Sequence, residues 1–208
     1  MHRIRVVTFD CDGVMFDTET ANRSYYNDIL AHLGKPSMSD DQFAYAQMHT
    51  ADAAIAHLFP DKSEFKAAQA YRRKRGYWPY ISLMEMEPDL VDLLKWCRPR
   101  YPTAVATNRS DTMNRVLADH GIAGYFDLVV TALDVENPKP DPEVLIRVVD
   151  HFSVETREVI YIGDSSVDET AARGAGVVLA AYQNPKMAAD YHIERLTEVK
   201  AILNGTHP

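Results

Sequence analysis

Five short runs of apolar residues recur along the chain, each four to six residues long. Runs without alternating polar positions are typical of strands buried on both faces, as in parallel sheets. The sequence therefore predicts five core strands. They are Ile4–Phe9, Thr103–Thr107, Leu128–Thr131, Val159–Ile162 and Val177–Ala181.

Helical patterns lie between the later strands. Asp111 is a candidate N-cap for a helix that ends before Gly121, and Asp141–Glu143 has the cap, proline and acidic first turn of a helix start. Further helices are predicted over residues 168–174 and 196–205. Strands that alternate with helices indicate an α/β fold, with a Rossmann-like core around a mainly parallel sheet.

The long interval between the first two strands carries helical patterns only. Helices are predicted around Tyr26–Leu33, over Asp40–Phe59 and over Ser63–Arg75. A purely helical stretch at this position interrupts the strand–helix alternation, so we interpret it as an insertion. The predicted domains are an α/β core of residues 1–15 and 85–208 and an all-helical insertion of residues 16–84.

Composition and charge narrow the classes of partner. The chain has 208 residues, a formal net charge of −8 and two cysteines, Cys11 and Cys97. A net negative charge does not indicate the basic surface that nucleic-acid-binding proteins carry, and no apolar run approaches the length of a membrane span. The first residues lack the cleavage site of a signal peptide. We therefore expect a cytoplasmic protein without nucleic-acid or membrane partners.

Polar side chains follow four of the predicted strands. Because the carboxyl ends of parallel strands line one crevice, these side chains are expected to converge there. They are Asp10 and Asp12, Thr107 and Asn108, Lys139, and Asp164 and Asp168.

This set of side chains has a definite chemistry. Carboxylates only a few Å apart repel one another unless some are protonated or a cation lies among them, and oxygen ligands favour Mg²⁺. An ammonium and a hydroxyl are suited to phosphate oxygens, so the crevice points to phosphoryl transfer. Of the first two aspartates, one can attack phosphorus while the other transfers protons.

Four segments of the chain resemble the ordered motifs of the haloacid dehalogenase-like (HAD) hydrolase superfamily. They are FDCDGVMFDTE (Phe9–Glu19), Thr107-Asn108, Lys139 within NPKPDP, and IGDSSVD (Ile162–Asp168). The helical insertion between the first and second motifs resembles the C1 cap of this superfamily. The pattern is most similar to the phosphoglycolate phosphatase and β-phosphoglucomutase branch.

The resemblance implies a role for each motif residue. Asp10 would be the nucleophile and a magnesium ligand, and Asp12 the general acid and base, with its backbone carbonyl on the metal. Thr107, Asn108 and Lys139 would hold the substrate phosphate, Lys139 also orienting Asp10. Asp164 would bind magnesium, and Asp168 would support the site.

The implied function is a Mg²⁺-dependent phosphatase that hydrolyses a small phosphomonoester through an aspartyl phosphate. The specific phosphomonoester and the choice between monomer and homodimer stay open. Segments near Phe16–Thr18 and Ile81–Glu87 would be the hinges of a moving cap.

Two other functions stay open. The first is a phosphosugar mutase like β-phosphoglucomutase. Mutases of the branch carry a histidine soon after the first motif, where this chain has Thr20-Ala21-Asn22. The second is a non-catalytic binding domain on the same fold.

Overall fold

A computed structural model describes residues 3–206. Its chain contacts divide into two units, one formed by residues 3–16 and 86–206 and the other by Asp17–Glu85. The first unit has the predicted α/β architecture and the second is almost entirely helical.

The first unit is built on a six-stranded sheet in which every neighbouring pair is parallel. The strands are β1 (Val6–Phe9), β4 (Thr103–Ala106), β5 (Leu128–Val130), β6 (Val159–Gly163), β7 (Val178–Tyr182) and β8 (Tyr191–Ile193). Two two-residue strands, β2 (Phe16–Asp17) and β3 (Glu85–Met86), pair separately. The prediction of an α/β fold with a parallel sheet is therefore confirmed.

The spatial order of the sheet is β5-β4-β1-β6-β7-β8. The first strand lies in the middle, and the chain moves to one side through β4 and β5 before it crosses to β6 on the other side. Such a reversal leaves a crevice at the carboxyl ends of the strands, which is where open α/β sheets bind ligands. The fold thus directs the ends of β1, β4 and β6 toward one place.

Nine α-helices lie in the part of the chain that the structure describes. In the helical unit they are α1 (Glu19–His32), α2 (Asp40–Met48), α3 (Ala51–Leu58) and α4 (Lys62–Arg75), followed by a 3₁₀ helix at Trp78–Leu83. In the α/β unit they are α5 (Leu90–Cys97), α6 (Met113–Asp119), α7 (Glu143–Phe152), α8 (Ser166–Ala175) and α9 (Val199–Leu203), with shorter 3₁₀ helices at Ala123–Tyr125, Thr156–Glu158 and Leu196–Glu198.

Burial explains the continuous apolar strands. Val6 and Val7 of β1 lie on opposite faces of the sheet, as do Tyr161 and Ile162 of β6, and all four are buried. Burying one such side chain stabilises a fold by roughly 1.5–3 kcal/mol. None of the helices within residues 3–206 combines the length and the apolar character that a bilayer crossing requires.

Some helix boundaries differ from the prediction. The predicted helix over Asp40–Phe59 is two helices, because Thr50 is extended and its hydroxyl accepts a hydrogen bond from Ala53 N to begin α3. Thr112, not Asp111, occupies the N-cap position of α6, without a capping hydrogen bond from its side chain. The exposed Asp111 carboxylate accepts from Ser110 Oγ instead. Pro142 occupies the cap position of α7 in place of Asp141, which still accepts from Glu143 N at 3.0 Å.

Candidate active site

The ends of three adjacent strands position the first residues of the site. Asp10 follows β1, Thr107 follows β4, and Asp164 follows β6. The backbone N–H of Asp10 donates to Ile162 O at 2.9 Å, and that of Thr107 donates to Val130 O at 3.0 Å. These bonds continue the hydrogen-bond ladder of the sheet, so the sheet holds the backbone from which both side chains project.

Lys139 lies at the centre of a buried polar cluster. Its Nζ is 2.8 Å from Asp10 Oδ1 and 2.7 Å from Asp168 Oδ1, and it donates to the Tyr161 hydroxyl at 2.8 Å. The lysine is only 4% exposed. The ammonium donates hydrogen bonds to Tyr161 and Asp168, and it forms an ion pair with Asp10. The cluster therefore fixes Lys139 against the Asp10 carboxylate.

Burial and neighbouring charges shift the acids of this cluster in opposite directions. Burial raises the pKa of Asp10 to about 7 against the opposing effect of Lys139. Burial, with repulsion from Asp168 and Asp10, raises the pKa of Asp164 to about 8. Burial also disfavours charge on Asp168, but Lys139 and hydrogen bonds from Ser165 and Tyr161 hold its pKa below the usual range. Asp168 is thus the acid whose negative charge is stabilised by groups of the protein itself.

Both oxygens of Asp168 are occupied by protein donors. Oδ1 faces Lys139 and Tyr161, while Oδ2 accepts from Ser165 Oγ at 2.5 Å and from Ser165 N at 3.1 Å. The Ser165 pair forms a capping box at the start of α8. A Cβ on Gly163 would lie 2.6 Å from Asp168 Cβ, so this packing requires glycine there. Asp168 therefore holds Lys139 and the loop after β6 in place.

Three carboxylates form a group that can hold a metal ion. Oxygens of Asp10, Asp164 and Asp168 all lie within 4.8 Å of one another. The Asp164 carboxylate lies against Gly13, where a Cβ would come within 2.2 Å of Oδ2. Lys139 contacts two of these acids, Asp10 and Asp168, and burial raises the pKa of Asp10 and of Asp164. Because protein donors occupy both oxygens of Asp168, Asp10 and Asp164 are the two acids of this group that fit a divalent cation with oxygen ligands.

The side chain of Asp12 points to a different partner. Its two oxygens accept from Arg109, from Nη2 at 2.5 Å and from Nε at 3.1 Å. This pair is largely buried, with 6% of the Arg109 side chain and 13% of the Asp12 side chain exposed. The two aspartates that follow β1 therefore face different partners, Asp10 the lysine of the acid cluster and Asp12 the arginine.

Thr107 and Asn108 connect the loop after β4 to the rest of the site. The Thr107 hydroxyl oxygen accepts from Arg109 N at 3.1 Å. Asn108 Nδ2 donates to the backbone carbonyl of Lys139 at 2.9 Å. The asparagine side chain therefore fastens the Lys139 loop to the loop that carries Thr107.

A model of the family described as haloacid dehalogenase-like hydrolase matches residues 7–182. The chain belongs to this family. Because the match covers all four motifs, the prediction of a HAD-like hydrolase from them is confirmed, and the chain is an enzyme of the hydrolase class.

Named relatives of this HAD-like hydrolase include two phosphatases. The chain is 29% identical over 171 residues to fructose-1-phosphate phosphatase YqaB of Escherichia coli, covering 81% of this chain and 91% of the relative. It is 30% identical over 187 residues to phosphoglycolate phosphatase 1 of Pseudomonas aeruginosa, covering 85% and 68%. These relatives agree with the predicted branch.

A solved structure of a HAD-superfamily hydrolase of subfamily IA, variant 1, from Geobacter sulfurreducens is also similar. It has a TM-score of 0.80 and 36% sequence identity, and the match covers 96% of each chain. The similarity extends over both units of this HAD-like hydrolase.

The structure brings four of the seven predicted side chains into one cluster, which are Asp10, Lys139, Asp164 and Asp168. Asn108 bonds to the backbone of Lys139, while Thr107 and Asp12 are both connected to Arg109. Sequence reasoning did not identify two members of the site in this HAD-like hydrolase. Tyr161 lies within a strand that reads as purely apolar, and its hydroxyl is hidden at the end of a buried ring. Arg109 follows Thr107-Asn108 directly, and that position was the available signal.

Proposed function

We propose that this chain is a Mg²⁺-dependent phosphatase that hydrolyses a small phosphomonoester through a phosphorylated Asp10. The observation that carries the proposal is the buried Asp10–Lys139–Asp168 cluster beside Asp164, at the carboxyl ends of adjacent parallel strands. The names of two relatives support phosphate-ester chemistry.

In the first step Asp10 is the nucleophile. One carboxylate oxygen bonds to phosphorus, the bond from phosphorus to the substrate's alcohol oxygen breaks, and that oxygen takes a proton from Asp12. In the second step water attacks the phosphorus and gives a proton to Asp12. The bond from phosphorus to Asp10 then breaks, which releases inorganic phosphate and restores both acids.

Thr107, Asn108 and Lys139 have separate tasks around the phosphoryl group in this proposal. The Thr107 hydroxyl accepts from Arg109 N and keeps its own hydrogen to donate to a phosphate oxygen. Asn108 would contribute backbone contacts to phosphate while its side chain holds the Lys139 loop. Lys139 orients Asp10 and would share its positive charge with the phosphate.

Asp10, Asp164 and the backbone carbonyl of Asp12 would hold Mg²⁺. When bound, Mg²⁺ neutralises charge on these carboxylates and on the phosphoryl oxygens. Asp168 supports this arrangement without binding the ion, because protein donors occupy both of its oxygens.

We also propose that the helical unit, Asp17–Glu85, is the cap that selects substrates. The names of the relatives suggest fructose 1-phosphate and phosphoglycolate as first substrates to test. Both cysteines are free, which suits the proposed cytoplasmic location.

A phosphomonoester panel tests this function. Purified protein is assayed for phosphate release from phosphoglycolate and from several sugar phosphates, with Mg²⁺ and with a chelator in its place. We expect Mg²⁺-dependent release that Asp10→Asn lowers by more than about a thousandfold, as loss of a nucleophile does. Asp119→Asn, an exposed residue paired with Arg115, is the matched control. Isomerised sugar phosphate without net phosphate release would contradict the proposal.

A further inference from the structure

The guanidinium of Arg109 engages both oxygens of Asp12 at once. Nη2 lies 2.5 Å from Oδ1 and Nε lies 3.1 Å from Oδ2, in the parallel two-bond arrangement that arginine forms with carboxylates. Two simultaneous bonds fix the plane of a carboxylate as well as its position. A single ammonium cannot impose that constraint.

Three further hydrogen bonds hold Arg109 in place. Its backbone N–H donates to Thr107 Oγ1 at 3.1 Å, and its carbonyl accepts from Ala132 N at 3.2 Å. Its Nη1 donates to Thr112 Oγ1 at 3.2 Å. The guanidinium is therefore aimed at Asp12 by the same loop that carries Thr107.

We propose that Arg109 is the positioning residue for Asp12, which it directs toward the oxygen that gains or loses a proton during catalysis. The inference rests on the proposed function, in which Asp12 transfers protons. In the structure both oxygens of Asp12 accept from the guanidinium, which fixes the plane of the carboxyl group.

This role predicts a dependence on the leaving group. The departing oxygen of 4-nitrophenyl phosphate needs little protonation, that of phenyl phosphate needs more, and that of an alkyl phosphate needs most. Loss of a general acid lowers the rate about 10²–10⁴-fold for a substrate whose leaving group needs protonation. A residue that serves only phosphate binding or folding would affect all three substrates equally.

The test compares kcat/KM of wild type, Asp12→Asn and Arg109→Lys on these three substrates. For Arg109→Lys we expect a loss of roughly tenfold or more with the alkyl phosphate, and less than about threefold with 4-nitrophenyl phosphate, in the same order as for Asp12→Asn. Arg115→Lys is the matched control, since Arg115 is an exposed arginine on α6. An equal loss on all three substrates would overturn the proposal.

A double variant gives an independent readout. If Arg109 acts through Asp12, Arg109→Lys causes no further loss once Asp12→Asn is present. If the losses of the two single variants multiply in the double variant, the positioning role is overturned.

Should Arg109→Lys fail to fold, Thr112→Val takes its place in both experiments, because it removes the hydroxyl that anchors Arg109 Nη1. We then expect smaller losses that follow the same order of substrates. If the wild type releases no phosphate from any substrate, the proposed function fails along with this inference. If only the leaving-group pattern is absent, this inference alone fails.

Discussion

At the scale of single residues, Gly13 leaves room for the carboxylate of Asp164. It adopts a φ of +83°, and its missing side chain leaves the space that the Asp164 carboxylate fills. Asp164 follows β6, about 150 residues later in the chain. Because glycine has no Cβ, the turn after β1 can pack directly against the loop after β6.

Replacing Gly13 should therefore affect metal binding more than folding. For Gly13→Ala we expect the Mg²⁺ concentration for half-maximal activity to rise on the order of tenfold or more, as when the support of a metal ligand is lost. Gly121→Ala is the control, because Gly121 has a φ of +70° and open space around it. Both variants carry backbone strain of roughly 1–2 kcal/mol. An equal rise in both would contradict the role of Gly13.

Some site residues could be predicted from the sequence and others could not. Asp10, Thr107 and Asp164 were identifiable because each follows an apolar strand, and parallel strands end at one edge of a sheet. Tyr161 was not identifiable, since its ring contributes to the core and only its hydroxyl belongs to the site. The use of a hydroxyl at the end of a buried side chain depends on three-dimensional packing that a linear pattern does not contain.

At the scale of elements, one carboxylate connects three pieces of the helical unit. Asp28 Oδ2 on α1 accepts from Tyr80 Oη at 2.7 Å, from Arg75 Nε at 2.7 Å and from Tyr71 Oη at 3.3 Å. Arg75 and Tyr71 belong to α4, and Tyr80 belongs to the 3₁₀ helix at Trp78–Leu83. The bonds from Tyr80 and Arg75 hold the pKa of Asp28 below its ordinary value of 3.8.

The lowered pKa of Asp28 sets the direction of a pH effect. A carboxyl group whose pKa is lower in the folded state stabilises the fold above its unfolded pKa and loses that effect as the pH falls through its folded pKa. We expect Asp28→Asn to reduce the free energy of unfolding at neutral pH by on the order of 1 kcal/mol, because the group is partly exposed.

Urea unfolding at neutral pH and at about pH 3 measures this difference between wild type and Asp28→Asn. The difference should shrink at the lower pH. Asp41→Asn, an exposed change on α2, is the control. A difference that is constant with pH would count against the assigned role of the Asp28 charge.

Boundaries between elements were less predictable than their presence. The five short apolar runs all correspond to strands. Four of these strands, β1, β4, β6 and β7, are buried at every position, which favours an uninterrupted apolar run. The sixth strand, β8, has only three residues at the edge of the sheet, and His192 in its centre is exposed. An edge strand that faces solvent needs no such pattern, so its short sequence resembles a loop.

At the scale of the whole molecule, the acid cluster joins segments that are far apart in the chain. Asp10 and Asp164 directly follow two neighbouring strands, β1 and β6, and Lys139 lies in the connection between β5 and α7. The chain as a whole also carries a net charge of −8. A cation that binds among these acids binds the folded state and not the unfolded chain, so it should stabilise the α/β unit.

Thermal unfolding with and without Mg²⁺ measures this coupling independently of activity. A ligand at a hundred times its Kd stabilises a fold by about 2.7 kcal/mol, which for a chain of this size corresponds to a rise in Tm of roughly 5–10 °C. We expect this rise for the wild type and its loss in Asp164→Asn. Asp150→Asn, an exposed change on α7, should keep it. NaCl at matched ionic strength separates binding from screening, because general screening would act on all three proteins alike. An equal rise in Asp164→Asn would place the ion elsewhere and remove the acid cluster as the metal site.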